Sequence, residues 1–231
     1  MPDSFAVRLT TIDRIAAQRV FNDKKRGKED KYETLEEALE ATSERKKGEV
    51  ERYKMRYGVD LEDENNYNLV IDTSFSDVGD ISNTILECFE LQKHNRPYGK
   101  NWTSPKTLLP IQDVRETAFK FDEMEASIAK NGFFPEETID AIQVDGVKFI
   151  FDGNHRNFAA GALGRTLVPY LIVGKDDEPM TMSMYGKSTA RERIFGFEPK
   201  MLYDYEPTFN KPGVNDNIRM YKKWNLIMYK N

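Results

Sequence analysis

The sequence predicts an α/β (α+β) chain built of two modules, and three stretches carry that prediction. Asn68-Leu-Val-Ile-Asp72 is a short apolar run of the kind a buried strand shows, and it follows a long helical pattern. Ala141–Val144 and Val147–Phe151 are two β-rich runs separated by Asp145-Gly146, a dipeptide that favours a two-residue hairpin turn. Phe149–Asp152 then passes through Gly153 into a small-residue helical pattern, giving a strand–turn–helix unit.

The elements follow in order. Residues 5–10, Phe-Ala-Val-Arg-Leu-Thr, read as a strand, and a helix follows through Arg19. Tyr32 to Tyr57 reads as one long helix or two joined. Leu35, Ala38, Leu39 and Thr42 form an i, i+3, i+4, i+7 stripe that Val50, Tyr53 and Tyr57 continue, and Gly58 stops it. After the 68–72 strand, Ile81, Ile85, Cys88, Phe89 and Gln92 line one face of a helix. Pro97, Gly99, Pro105 and Pro110 among polar residues mark a change of character, read as an interdomain linker over 94–104. Phe121–Asn131 is a helix ended by Gly132, then comes the hairpin. A helix from Asn154 to Leu163 ends at Gly164, and Val168–Val173 is the next strand. Beyond Asp176 the chain is aromatic-rich and irregular. The expected organisation is therefore 1–93, a linker at 94–104, 105–175, and an aromatic and basic extension over 176–231.

Composition narrows the function classes. The 231 residues allow one large domain or two small ones, and 39% hydrophobic residues with Phe 14, Tyr 11 and Trp 2 exclude global disorder. Mean hydropathy is −0.68, and no apolar run approaches the ~18 residues of a membrane helix. Met1-Pro2-Asp3-Ser4 lacks the basic-then-apolar layout of a signal peptide. A soluble cytoplasmic protein without a membrane partner is expected. The single cysteine, Cys88, excludes an internal disulfide and a Cys-based zinc site, and two histidines, His94 and His155, argue against a His-rich one, so no metal ligands are assigned. The net charge of −5 argues against a uniformly basic nucleic-acid binder, although residues 211–231 hold five Lys/Arg against one Asp.

The most informative stretch is Phe149 to Gly164. A glycine turn at its centre opens a helix whose first turn carries His155 and Arg156. Free N–H groups and the helix dipole favour an anion there. Arg156 has the fork that chelates phosphate, His155 can donate to phosphate or shuttle a proton, and Gly153 permits close backbone approach. The bland alternative is that His155 and Arg156 cap the turn and pair with local carboxylates.

Asp152-Gly153-Asn154-His155-Arg156, Ala159-Ala160, Leu163-Gly164 and Val168-Pro169 resemble, in order, the motif of the ParB/sulfiredoxin-like fold. Leu109-Pro110, Arg115, Phe121-Asp122, Ser127-Ile128 and Gly132 fit the first half of that pattern, so the likeness covers 105–175. The resemblance implies binding of ATP, ADP or CTP with Mg²⁺, the phosphates held by Asp152, Gly153, Asn154, His155, Arg156 and Arg115. It also implies a carboxylate base before the first helix: Glu116 is preferred over Asp113 and Asp122, with His155 as the second catalytic residue. Asn154 stands where sulfiredoxins carry their reactive cysteine, and Cys88 is expected in the other domain, so sulfinic-acid repair is not expected.

The first module resembles the C-terminal half of a cytidylate-kinase-like nucleoside monophosphate kinase. The residues are Leu9-Thr10, Arg19, Ser43-Glu44-Arg45, Glu49, Arg52-Tyr53, Tyr57-Gly58-Val59-Asp60-Leu61, Asp63 and Tyr67–Thr73. The resemblance makes Arg45 and Arg52 lid arginines, seven apart on one helix face. Ala16 stands where that family carries an arginine, and the phosphate-loop half of the kinase is expected to be missing. This leaves three expectations open: phosphoryl transfer or nucleotide hydrolysis at the 152–156 turn, a DNA-binding ParB-like module, or a split kinase whose phosphate loop comes from a second chain. Gly186-Lys187-Ser188-Thr189 imitates the end of a phosphate loop, but Thr181 stands where its first glycine belongs. In the tail, Tyr203, Tyr205, Phe209, Arg219, Tyr221, Lys222, Lys223, Trp224, Tyr229 and Lys230 either contact DNA or single-stranded nucleic acid or pack on the core.

Overall fold

The computed structural model describes residues 4–23, 31–110, 121–133, 137–180 and 188–195. The chain is mixed α/β and divides into two compact units, Met1–Ser74 and Phe75–Asn231.

In the first unit, β1 (Val7–Thr10) and β2 (Leu69–Asp72) pair in parallel, from Val7 opposite Leu69 to Thr10 opposite Asp72. Parallel pairing needs a crossover, which α1 (Asp13–Asn22) and α2 (Leu35–Tyr57) supply. Arg19 on α1 secures the end of β2: its Nη2 donates to the carbonyls of Thr73 at 2.6 Å and Ser74 at 3.1 Å. The Ser74 hydroxyl in turn accepts from the Ile12 N–H at 2.9 Å, tying the exits of both strands together.

The Tyr32–Tyr57 pattern forms one helix, starting at a Thr34 cap whose hydroxyl accepts from the Glu37 N–H at 3.2 Å. It ends at Gly58, which is left-handed with φ +65°. The apolar stripe does not continue as expected. Ala38 is the buried residue of α2, while Tyr53 and Tyr57 are exposed, with the Arg52 and Arg56 guanidinium groups 6.0 and 5.6 Å from their ring centres. Length is the reason: at 1.5 Å per residue a 23-residue helix far outruns a four-residue strand, so its last turns overhang.

The second unit begins with α3 (Val78–Lys93), capped by Asp77. Its division from the first unit falls after Ser74 rather than within 94–104. Asp80 on α3 explains why the helix goes with the C-terminal part: its Oδ2 accepts the Thr166 N–H at 3.1 Å and the Thr166 hydroxyl at 2.5 Å. The expected linker also carries structure. Within it, β3 (Asn101–Thr103) pairs antiparallel with β7 (Val168–Lys175). A Cβ on Gly99 would stand 2.7 Å from Pro169 Cβ, so the glycine there serves close packing.

The remaining elements are β4 (Leu108–Pro110), α4 (Phe121–Asn131), β5 (Ile139–Val144), β6 (Val147–Asp152), α5 (Asn154–Ala162) and α6 (Ala190–Phe195). Strands of this unit lie in the order β3-β7-β5-β6-β4. The β5–β6 hairpin turns at Asp145-Gly146, both with positive φ (50° and 79°), the geometry that selects this dipeptide. Leu108, Ile139, Ala141, Ile150, Ala160, Val168 and Tyr170 form the core. Small residues on α5 let it lie close: Ala160 packs into this core and Ala159 against Ile128 of α4.

Among the described residues beyond Asp176, regular features stand where an irregular stretch was expected. Pro179 and Thr189 form an antiparallel bridge, and α6 follows. Thr189, from the phosphate-loop look-alike, caps α6 reciprocally with Glu192: the Thr189 N–H donates to the Glu192 carboxylate at 2.9 Å, and Glu192 N–H to the Thr189 hydroxyl at 3.2 Å. Arg191 grips the hairpin turn with Nη1 and Nη2 donating to the two Asp145 carboxylate oxygens at 2.9 and 2.6 Å.

Candidate functional site

The candidate site is where β6 becomes α5. Gly153, the residue before the helix, has φ +95°, ψ 18° and no side chain. A Cβ placed on it would stand 3.0 Å from Ile139 Cδ1 and 3.1 Å from both Nε and Nη2 of Arg156. Two constraints, left-handed backbone and lack of room, therefore select glycine. The same distances show that the Arg156 guanidinium lies back against the Gly153 backbone. Its Nη2 donates to Asp152 Oδ2 at 2.7 Å, with side-chain exposures of 21% for Arg156 and 69% for Asp152.

Of the expected turn residues, the structure brings Asp152, Gly153 and Arg156 into mutual contact, and His155 stands beside them, half-buried. Asn154 differs from a surface phosphate ligand. It is 2% exposed, and neither its Nδ2 nor its Oδ1 has a hydrogen-bond partner. One turn on, Asn157 is also buried; its Nδ2 donates to the Pro105 carbonyl at 3.2 Å, and its Oδ1 is unpartnered. One donor and two acceptors buried along one helix face are the partners that a bridging water or a ligand hydroxyl satisfies.

Asp140, which sequence reasoning did not single out, belongs to the site. It lies opposite Asp152 in the β5–β6 register. Burial, followed by the Asp152 carboxylate, pushes its pKa above the ordinary carboxylate range, and Arg156 acts in the opposite direction. A regular two-residue hairpin would place Asp140 opposite Phe151. A bulge between Asp140 and Ala141 shifts it to Asp152, and nothing in the residue pattern announces that bulge.

Other expected residues are placed elsewhere. Arg115, Glu116 and Asp113 lie outside the described residues, as do all the tail residues from 196 onward. Asp122 is exposed in the first turn of α4. Arg45 and Arg52 are exposed on α2, and Arg45 stands 3.9 Å from Glu49. The first unit has a cleft along β1 and α2 lined by Arg8, Thr10, Asp13, Lys46, Glu62 and Tyr67 among others, with neither lid arginine in its wall.

Cys88 is on α3, in the same unit as the turn rather than in the first one. Burial, followed by the neighbouring Glu87 carboxylate, pushes its thiol up to about 12. Among the described residues no group of three or more His, Cys, Asp or Glu side chains is placed to hold a metal ion, and no helix is long and apolar enough to cross a membrane. No protein-family model matches the chain, and no curated protein matches it.

Proposed function

We propose that the chain binds the phosphates of a nucleotide, ATP, ADP or CTP, at the Asp152–Arg156 turn and acts in phosphoryl transfer or nucleotide hydrolysis there. One observation carries the reading: a left-handed glycine at the start of α5 lies beneath the guanidinium of an arginine on the first turn of the same helix. Unpaired N–H groups at a helix start stabilise an anion by about 0.3–1 kcal/mol, up to ~2 in partly buried geometry. A guanidinium adds paired, charge-assisted hydrogen bonds. The Asp-Gly-Asn-His-Arg likeness to ParB/sulfiredoxin-like proteins agrees with this chemistry. In this reading Gly153 and Arg156 hold phosphate, Asn154 and Asn157 offer buried polar contacts, and His155 moves a proton, with Glu116 as the base. Mg²⁺ fits the same place: it needs only one or two carboxylates besides phosphate oxygens and water, and the Asp140–Asp152 pair would hold it. When bound it supplies neutralisation of phosphate charge.

Calorimetric titration with ATP, ADP and CTP tests the reading. Saturable binding that Arg156→Ala weakens at least tenfold is expected, as loss of a charge-assisted pair at an anion site requires. Absence of binding, or binding untouched by that substitution, refutes it.

A second reading rests on α2. Arg45 and Arg52 are exposed on one side of it, as a split kinase would require if another chain brought the phosphate loop. Its test is kinase activity on reconstitution with such a chain, abolished by Arg45→Ala with Arg52→Ala.

A further inference from the structure

The last turns of α2 overhang the strands that support the rest of the helix. Every residue from Glu51 to Val59 is exposed, so this stretch presents all its sides to solvent. A helix exposed all round is ordinarily polar throughout, yet this one carries Tyr53, Met55 and Tyr57 at 39%, 86% and 59% exposure. Its charge is one-sided as well. Between Arg45 and Tyr57 six Lys or Arg stand against Glu49 and Glu51, in a chain whose net charge is −5. Three of the six have carboxylates near them: Arg45 is 3.9 Å from Glu49, Lys46 3.1 Å from Asp13 and Lys54 3.7 Å from Asp60. Arg52 and Arg56 make no ion pair among the described residues, and their guanidinium groups lie over the rings of Tyr53 and Tyr57.

Helical spacing orders these groups. Arg52 and Arg56 are one turn apart, as are Tyr53 and Tyr57, so a row of two guanidinium groups runs beside a row of two rings. The ring centres are 5.4 Å apart. One turn advances about 5–6 Å along the axis, the order of the separation between successive phosphates in an extended single strand. Tyrosine rings and guanidinium planes both take stacked bases, and cations beside them meet the backbone. Met55 lies about 200° round the helix from either tyrosine, so the stretch lacks the single apolar face with which a helix lies on a lipid surface. We propose that the C-terminal turns of α2 are a contact site for single-stranded nucleic acid, with Arg52 and Arg56 meeting phosphates and Tyr53 and Tyr57 stacking on bases. The site belongs to the first unit and rests on neither nucleotide reading above.

The experiment is fluorescence anisotropy of a labelled deoxythymidine twelve-mer with the full chain, over roughly 50 to 200 mM salt. Wild type is compared with Arg52→Gln plus Arg56→Gln, with Tyr53→Leu plus Tyr57→Leu, and with Lys93→Gln plus Lys106→Gln as a charge control. All six side chains are exposed, and circular dichroism confirms that each variant is folded. A duplex of the same length and vesicles of phosphatidylcholine with phosphatidylserine are the competing ligands. Wild type is expected to bind the single strand more tightly than the duplex, and more weakly as salt rises. Each phosphate neutralised on a single strand contributes about −0.7 to the log–log salt slope, so the arginine variant is expected to flatten that slope by about 1.4. The tyrosine variant is expected to bind about tenfold or more weakly at every salt with the slope unchanged, as loss of stacking requires. The lysine control is expected to stay within about twofold of wild type, because salt screens distant charges. No binding of the strand, binding that either α2 variant leaves intact, or an equal loss in the lysine control overturns the site. Duplex binding as tight as single-strand binding overturns the single-strand assignment. Vesicle binding lost in the same variants, without strand binding, overturns it in favour of a membrane surface.

Discussion

Asp140 faces Asp152 across the β5–β6 pair, one position beyond the partner a regular hairpin would give it. Like charges directly opposite on a strand pair oppose folding. The pKa of Asp140 is pushed up by burial first and by the Asp152 carboxylate second, in line with that conflict. A carboxyl raised in the folded state destabilises the fold once ionised. The penalty is absent below the ordinary carboxylate value, grows as pH rises through it, and is complete above the folded-state value. Asp140→Asn is therefore expected to stabilise the protein at neutral pH by a few tenths to about 1 kcal/mol. Denaturant titrations at pH 7 and at pH 3 check this: the gain should be present at the first and lost at the second.

Gly153 gives the opposite sign. Its φ of +95° is hostile to any L side chain, and an alanine Cβ would meet Ile139 and Arg156 at 3.0–3.1 Å. Gly153→Ala is expected to cost about 1–3 kcal/mol and to displace the Arg156 guanidinium, weakening ATP binding as well. The paired measurement is a melting curve with an ATP titration at a temperature where the variant is folded. Unchanged stability would contradict the description of the turn.

The Asp145–Arg191 pair holds α6 to the β5–β6 turn and carries a definite pH dependence. The hydrogen bond from Arg191 holds the Asp145 carboxyl below the ordinary range. Its contribution is complete above the ordinary carboxylate value and is lost as pH falls through the lower, folded-state value. The pair is one-quarter exposed on each side, so solvent discounts it to about 1–2 kcal/mol. Arg191→Gln is expected to reproduce the acid effect at neutral pH, raising amide exchange in Ala190–Phe195 while leaving the Asn154–Ala162 helix protected.

What the residues announced, and what they concealed, follows from the range of the forces involved. The Asp145-Gly146 hairpin, the 68–72 strand and the Gly153 turn are local signals, set by φ restrictions and two-residue alternation, and each stands where the pattern put it. The Asp152–Arg156 contact is also local, four residues apart on a turn and its helix. Asp140 could not be found this way, because a bulge sets its register. Tyr53 and Tyr57 keep helical spacing yet face water, since periodicity records which side of a helix is apolar and not how far its support extends. The 94–104 segment misled through composition: its Gly99 reads as flexibility but serves contact with Pro169.

Cys88 provides the last test, and it bears on the sulfiredoxin side of the resemblance. A redox thiol must reach its thiolate form and be accessible. Cys88 is 1% exposed, and burial pushes its thiol up to about 12. At pH 8 an ordinary cysteine is roughly one-quarter thiolate, whereas a thiol near 12 is about one part in ten thousand. Native protein is therefore expected to resist a thiol-specific disulfide reagent at pH 8 for hours, and one equivalent is expected to react on unfolding in guanidinium. Cys88→Ala should leave any nucleotide binding at the turn unchanged while costing about 1–2 kcal/mol for the lost buried volume. Rapid native labelling, or loss of ATP binding in Cys88→Ala, would return the thiol to consideration as part of the chemistry.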